Sequence, residues 1–147
     1  MKLKRVTEIM TEYPLDTIEQ GLSIQHAANI MKERGRGSLV VLDNKKPIGI
    51  ITERDIVRRV VAEGRDLNIK VKDVMSTPLI TVGPEATVEV AAKIMYENGI
   101  RRLPVVENDN LLGIVTATDF VKHMLKEKKD SMLLAMARFK YIEELNK

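Results

Sequence analysis

The chain repeats itself. Residues 17–55 set against residues 81–119, a shift of 64, give 14 identities in 39 positions without a gap. Among them are Ala27/Ala91, Ala28/Ala92, Met31/Met95, Gly35/Gly99, Gly49/Gly113, Thr52/Thr116 and Asp55/Asp119. Pro14/Pro78 extends the match upstream, and Met10/Met75 joins it with one residue inserted in the first repeat. A unit of about 60 residues is too long for a stacked solenoid repeat and too short to bury a sufficient core alone. The expected arrangement is two units, residues 1–64 and 65–128, packed face to face about a pseudo-twofold axis. Residues 129–147 form a helical extension.

Both repeats carry the same element order. An extended run (Leu15–Ile18, Leu79–Val82) precedes a helix whose N-cap residues are Ser23 and Thr87. Ile24, Ala27, Ala28 and Met31 fall at i, i+3, i+4 and i+7, as do Val88, Ala91, Ala92 and Met95. Gly35 and Gly99 stand where a left-handed residue ends a helix. Two strands follow, Ser38–Leu42 with Ile48–Ile51 and Leu103–Val106 with Leu111–Val115, joined by Asp43-Asn44 and Asn108-Asp109-Asn110 turns. A second helix begins after Thr52 and Thr116. The fold class is α/β, two β-α-β-β-α motifs plus a C-terminal helix. The paired Ala-Ala dipeptides predict close helix packing, between the first helices or against a second subunit. Met132, Leu133, Met136 and Phe139 predict an apolar stripe on the last helix that covers a core or forms a dimer.

Catalytic patterns are scarce. Cysteine is absent and only His26 and His123 occur, so neither a thiolate nor a histidine-rich metal centre is expected. No Ser/His/Asp set, Walker loop or dinucleotide glycine pattern appears, and the chain reads as a non-enzyme. No apolar run approaches the ~20 residues of a membrane span, and Met1–Arg5 is basic with no apolar stretch behind it. A cytoplasmic protein is expected. The formal net charge of +3 comes from the tail, where Lys122–Lys147 holds seven basic and four acidic residues. With a neutral body and 3% aromatics, a nucleic-acid surface is not expected.

The motif that recurs at matching places is Gly49-Ile-Ile-Thr-Glu-Arg-Asp55 and Gly113-Ile-Val-Thr-Ala-Thr-Asp119. Strand, Thr-x-x-Asp and helix follow one another. One reading is a capping box, in which Asp reaches back less well than the usual Glu or Gln. The other is a ligand site: free N–H groups at a helix start suit a phosphate, and a carboxylate there accepts from ribose hydroxyls. Thr52, Thr116, Thr118 and Arg54 add phosphate donors.

These motifs, with Val71-Lys-Asp-Val-Met75 and Asn98-Gly-Ile-Arg-Arg-Leu-Pro-Val-Val106, resemble a tandem pair of cystathionine-β-synthase (CBS) domains, or Bateman module, over residues 4–126. The resemblance implies a sensor of adenosine-containing ligands, AMP, ADP or ATP, with S-adenosylmethionine or NAD as alternatives, and an unknown effector protein as partner. It implies two clefts. The first would hold Thr52, Arg54 and Asp55 with Leu79, Ile80, Arg101 and Arg102. The second would hold Thr116, Thr118 and Asp119 with Leu15, Asp16, Arg36, Gly37 and Ser38. Asp55 and Asp119 would take ribose, Arg54 and Arg102 phosphates, and Leu79 and Ile80 adenine. The first cleft is expected to be the more basic. A homodimer is expected. The rivals are a purely structural dimer with empty clefts and a nucleic-acid-associated protein using the basic last helix.

Overall fold

The computed structural model describes residues 4–12, 16–127 and 131–146; in the last helix the side chains of 131–135 and 139 stand outside the description. Leu15, and the Met132, Leu133 and Phe139 members of the proposed stripe, therefore lie outside the described residues or side chains. The first repeat comprises β2 (Thr17–Glu19), α1 (Ile24–Arg34), β3 (Ser38–Asp43), β4 (Lys46–Thr52) and α2 (Glu53–Ile56), which continues as a π-helical turn through Val57–Val61. The second comprises α3 (Val88–Asn98), β5 (Arg102–Glu107), β6 (Asn110–Thr116) and α4 (Ala117–Glu127). In place of a β2 counterpart, Val82 makes an isolated parallel bridge to Val105. A two-residue strand β1 (Thr11–Glu12) precedes the first repeat, and α5 (Ser131–Leu145) follows the second.

Local chemistry sets the element ends. Ser23 Oγ and Thr87 Oγ1 accept from the backbone N–H groups of His26 (3.1 Å) and Val90 (3.3 Å). Gly35 and Gly99 close α1 and α3 at φ 62° and 61°, where a Cβ is unfavourable. The β3–β4 and β5–β6 hairpins turn through Asn44-Lys45 and Asn108-Asp109, all four at positive φ. This is the geometry that matches the twist of the flanking strands.

The lead-in of each repeat is exchanged. Val6 is fully buried in the core of the second repeat, with Leu103, Val105 and Val115. Val71 and Val74 are buried in the core of the first, with Ile24, Leu39, Val41 and Ile51. β1 adds to the second sheet, in the order β1-β6-β5, while β2-β3-β4 forms the first. Ser76 bridges Ile50 in the same way. The paired glycines follow from this crossing. A Cβ on Gly113 would lie 2.6 Å from both Thr11 O and Met10 Sδ; one on Gly49 would lie 2.8 Å from Met75 Sδ and 3.0 Å from Ser76 O. The boundary expected at residue 64 thus divides the sequence but not the packing, because each core is completed by the other repeat's lead-in.

The two alanines of each Ala-Ala dipeptide stand differently. Ala27 and Ala91 are fully buried against their own sheets, whereas Ala28 is half-buried and Ala92 is exposed. Ala28 and Ala92 lie four residues after the core positions Ile24 and Val88, at the rim of an apolar stripe about 100° wide.

Candidate functional site

Antiparallel pairing builds the site. Register places Arg102 opposite Thr116 and Ser38 opposite Thr52. The start of one strand and the Thr-x-x-Asp after its hairpin partner therefore come from the same repeat. Backbone bonds tie them: Ala117 N–H donates to Arg101 O (2.9 Å) and Glu53 N–H to Gly37 O (3.0 Å).

A cavity of about 390 Å³ opens where the ends of β3, β5 and β6 meet the start of α4. Thr116, Thr118 and Asp119 line it together with Asp16, Arg36, Gly37 and Ser38. Arg101 and Arg102 line the same cavity. Thr52, Arg54, Asp55, Leu79 and Ile80, with which these arginines are expected, do not line this cavity. Lys122, Tyr141 and Leu145, which sequence reasoning missed, complete one side. Lys122 was legible: it lies three residues after Asp119 and so on the same helical face. Tyr141 and Leu145 arrive on α5, and nothing in their local sequence announces that return.

The two aspartates differ. Asp55 is 8% exposed, and both its carboxylate oxygens are engaged. Oδ2 accepts from Thr52 N–H (3.0 Å), and Oδ1 accepts from Ser76 Oγ (3.3 Å) and lies 3.8 Å from Arg59 Nε. Asp119 is half-buried on the cavity. Its Oδ2 accepts from Thr116 N–H (2.8 Å) and Thr116 Oγ1 (3.0 Å). Its Oδ1 has no hydrogen-bond partner among the described residues. Both motifs form the reciprocal capping pair, since Asp55 and Asp119 N–H groups donate back to Thr52 Oγ1 (3.1 Å) and Thr116 Oγ1 (3.2 Å). The expectation that Asp reaches back poorly does not hold: 2.8–3.0 Å is a full charge-assisted bond.

Ile80 packs on the second core, Leu79 is half-buried and Arg54 is exposed. Around the cavity, Asp16 neutralises part of the charge: its oxygens lie 2.7 Å from Arg36 Nε and 2.9 Å from Arg34 Nη1. Burial holds the Arg102 guanidinium below its usual pKa, assisted by neighbouring Arg101 and opposed by Glu53 and Tyr141. Arginine nevertheless stays protonated in proteins, so the cavity keeps a partly desolvated cation at its floor. No group of acidic and histidine side chains among the described residues is placed to hold a metal ion.

CBS-domain models match residues 6–62 and 71–126. The chain belongs to the CBS-domain family, as a tandem pair. CBS domain-containing protein YhcV of Bacillus subtilis is 39% identical over 118 residues, covering 80% of this chain and 84% of that protein. A Methanopyrus kandleri protein is 47% identical over 95 residues, 63% of this chain but only 48% of its own length. Inosine-5'-monophosphate dehydrogenase of Korarchaeum cryptofilum is 40% identical over 115 residues, 78% of this chain but 22% of the enzyme, so the likeness is to its CBS portion. Among solved structures, the hexameric CBS-CP12 protein of bloom-forming cyanobacteria superposes with a TM-score of 0.73 at 35% identity, covering 86% of this chain and 75% of that one. A Pyrococcus horikoshii protein gives 0.76 at 29% identity, covering 84% and 95%. CBS pairs are in general regulatory or sensor modules. No helix of the described residues is long and apolar enough to cross a membrane.

Proposed function

We propose that this CBS pair is a sensor that binds an adenosine-containing nucleotide, AMP, ADP or ATP, in the cleft beside Asp119 and passes its occupancy to an effector protein. The observation that carries this reading is the convergence on one cavity of three arginines and a lysine (Arg36, Arg101, Arg102, Lys122) with the Thr116 and Thr118 hydroxyls and the Asp119 carboxylate. Cations and hydroxyls suit phosphate oxygens. The unpartnered carboxylate oxygen suits a donor pair such as the two ribose hydroxyls. The volume falls within the ~300–1,000 Å³ range of small-molecule sites. Asp55, enclosed and satisfied, acts in this reading as a helix cap.

Catalysis is not part of the proposal. The polar groups on the cavity are hydroxyls, carboxylates and fixed cations, which bind and orient. The module acts as a homodimer. Isothermal titration of the full chain with AMP, ADP and ATP, and with S-adenosylmethionine and NAD as alternatives, tests ligand class. Heat from an adenine nucleotide that is lost in Asp119→Ala supports the reading. Silence from all five ligands overturns it in favour of a structural dimer.

A further inference from the structure

α5 lies across the mouth of the cavity, and it does so through the groups that a phosphate would need. The Tyr141 hydroxyl is hydrogen-bonded to the Thr118 hydroxyl. Arg101 Nη2 donates to the backbone carbonyl of Glu144 at 2.7 Å. Leu145, one helical turn beyond Tyr141, lines the same wall. A hydroxyl and a guanidinium on the cavity rim are therefore already occupied by the chain's own last helix. The carbonyls at a helix C-terminus carry partial negative charge. The end of α5 thus presents to Arg101 a weak version of the charge that a phosphate would present in full.

Most of the described α5 side chains are exposed. Met136, Ile142 and Leu145 are 58%, 46% and 44% exposed, so the described side chains of α5 bury little apolar surface.

We propose that α5 is a displaceable latch: an anionic ligand entering the cleft takes Thr118 and Arg101 from Tyr141 and Glu144, and the C-terminal helix is released. Ligand occupancy then becomes a change in the exposure of α5, which an effector can read. This rests on the nucleotide reading of the cleft for its ligand, but not for its mechanics. Binding and helix docking compete for shared groups, so each weakens the other by the same factor.

The test is hydrogen–deuterium exchange of the 131–145 segment in the full chain, with AMP and, separately, inorganic pyrophosphate as probes, alongside AMP titration of the wild type and of Tyr141→Phe. Tyr141→Phe removes one hydroxyl and keeps the ring. The expected results are faster exchange in 131–145 on adding AMP and AMP affinity about three- to tenfold tighter in Tyr141→Phe, the size of one net hydrogen bond lost from the competing state. Weaker AMP binding in Tyr141→Phe would make Tyr141 a ligand contact and overturn the latch. So would slower exchange in 131–145 with AMP, which would describe a lid that closes. If AMP fails to bind either protein while pyrophosphate still speeds exchange in 131–145, the nucleotide reading falls and the latch stands. If neither probe changes α5, the latch falls.

Discussion

At the scale of single residues, two aspartates in the same motif are engaged differently, and substitution separates them. Asp55→Ala deletes a buried acceptor of the Thr52 N–H and the Ser76 hydroxyl. It should lower stability by about 1–3 kcal/mol, because half-buried donors lose a charged partner, and leave ligand affinity within a factor of two. Asp119→Ala removes a cap of the same geometry and should cost about 1 kcal/mol of stability. It should also reduce nucleotide affinity at least tenfold, because ribose hydroxyls lose a charged acceptor. Urea denaturation with titration calorimetry on both variants checks the pair; equal affinity losses would contradict the assignment. A third residue adds a pH signature. Lys4 Nζ lies 3.0 Å from Glu127 Oε1, and that hydrogen bond and charge hold the Glu127 carboxyl below its ordinary pKa of 4.5. A depressed folded-state value means the contribution is present above the unfolded pKa and is lost as pH falls through the folded value. The melting-temperature gap between wild type and Glu127→Gln should therefore be constant near neutrality and close below about pH 4.5.

At the scale of elements, the repeated glycines report the exchange of lead-ins. Gly113→Ala drives a Cβ into the Thr11 carbonyl and the Met10 sulfur at 2.6 Å. Either β1 leaves β6 or the strands shift. A loss of about 1–3 kcal/mol is expected, the usual cost of overpacking, with Gly49→Ala milder because its closest backbone atom, Ser76 O, is at 3.0 Å. Denaturation midpoints that match wild type in both would mean the lead-ins are not packed as described. Much at this scale was legible beforehand. The caps at Ser23, Thr87, Gly35 and Gly99 and the hairpin turns are local chemistry, readable from a few adjacent residues. The exchange was not, because a lead-in such as Val6–Met10 carries only a burial preference and not the identity of the core that satisfies it. The placement of Arg101 and Arg102 lay between these cases. A hairpin turning at Asn108-Asp109 sets Arg102 opposite Val115 by counting alone, and the bulge between Val105 and Val106 moves it to Thr116, so its alignment with the second Thr-x-x-Asp motif is legible only to within a residue. Tyr141 was beyond reach, since its position depends on how α5 returns over α4.

For the whole molecule, the two repeats are equal in fold and unequal in surface, and the inequality points to assembly. The shift of 64 relates Val57 to Val121 and Val61 to Leu125. On α4, against which α5 packs, Val121 and Leu125 are half-buried. Their counterparts on the turn after α2 are bare: Val57 is 57% and Val61 62% exposed. Single exposed apolar residues are ordinary, whereas a pair one turn apart on the same helical face is a contact waiting for a partner of matching shape. A two-fold interface is self-complementary, so the same patch from a second chain supplies that match without a new surface. A homodimer built on this face is expected at micromolar concentration, with a dimer mass in light scattering that does not depend on ligand. Val61→Glu, which places charge in the middle of the contact, should give the monomer while sparing the fold, because the side chain lies outside both cores. Its circular dichroism should be that of the wild type. A dimeric Val61→Glu would move the interface elsewhere, and a monomeric wild type would leave the Val57–Val61 face to the effector. The cleft proposed for nucleotide lies at the start of α4 and is lined by β3, β5 and β6, apart from the Val57–Val61 turn. Nucleotide affinity should therefore be the same in monomeric Val61→Glu as in the wild type, and a fall in affinity that tracks the loss of dimer would mean that the partner chain contributes to the site.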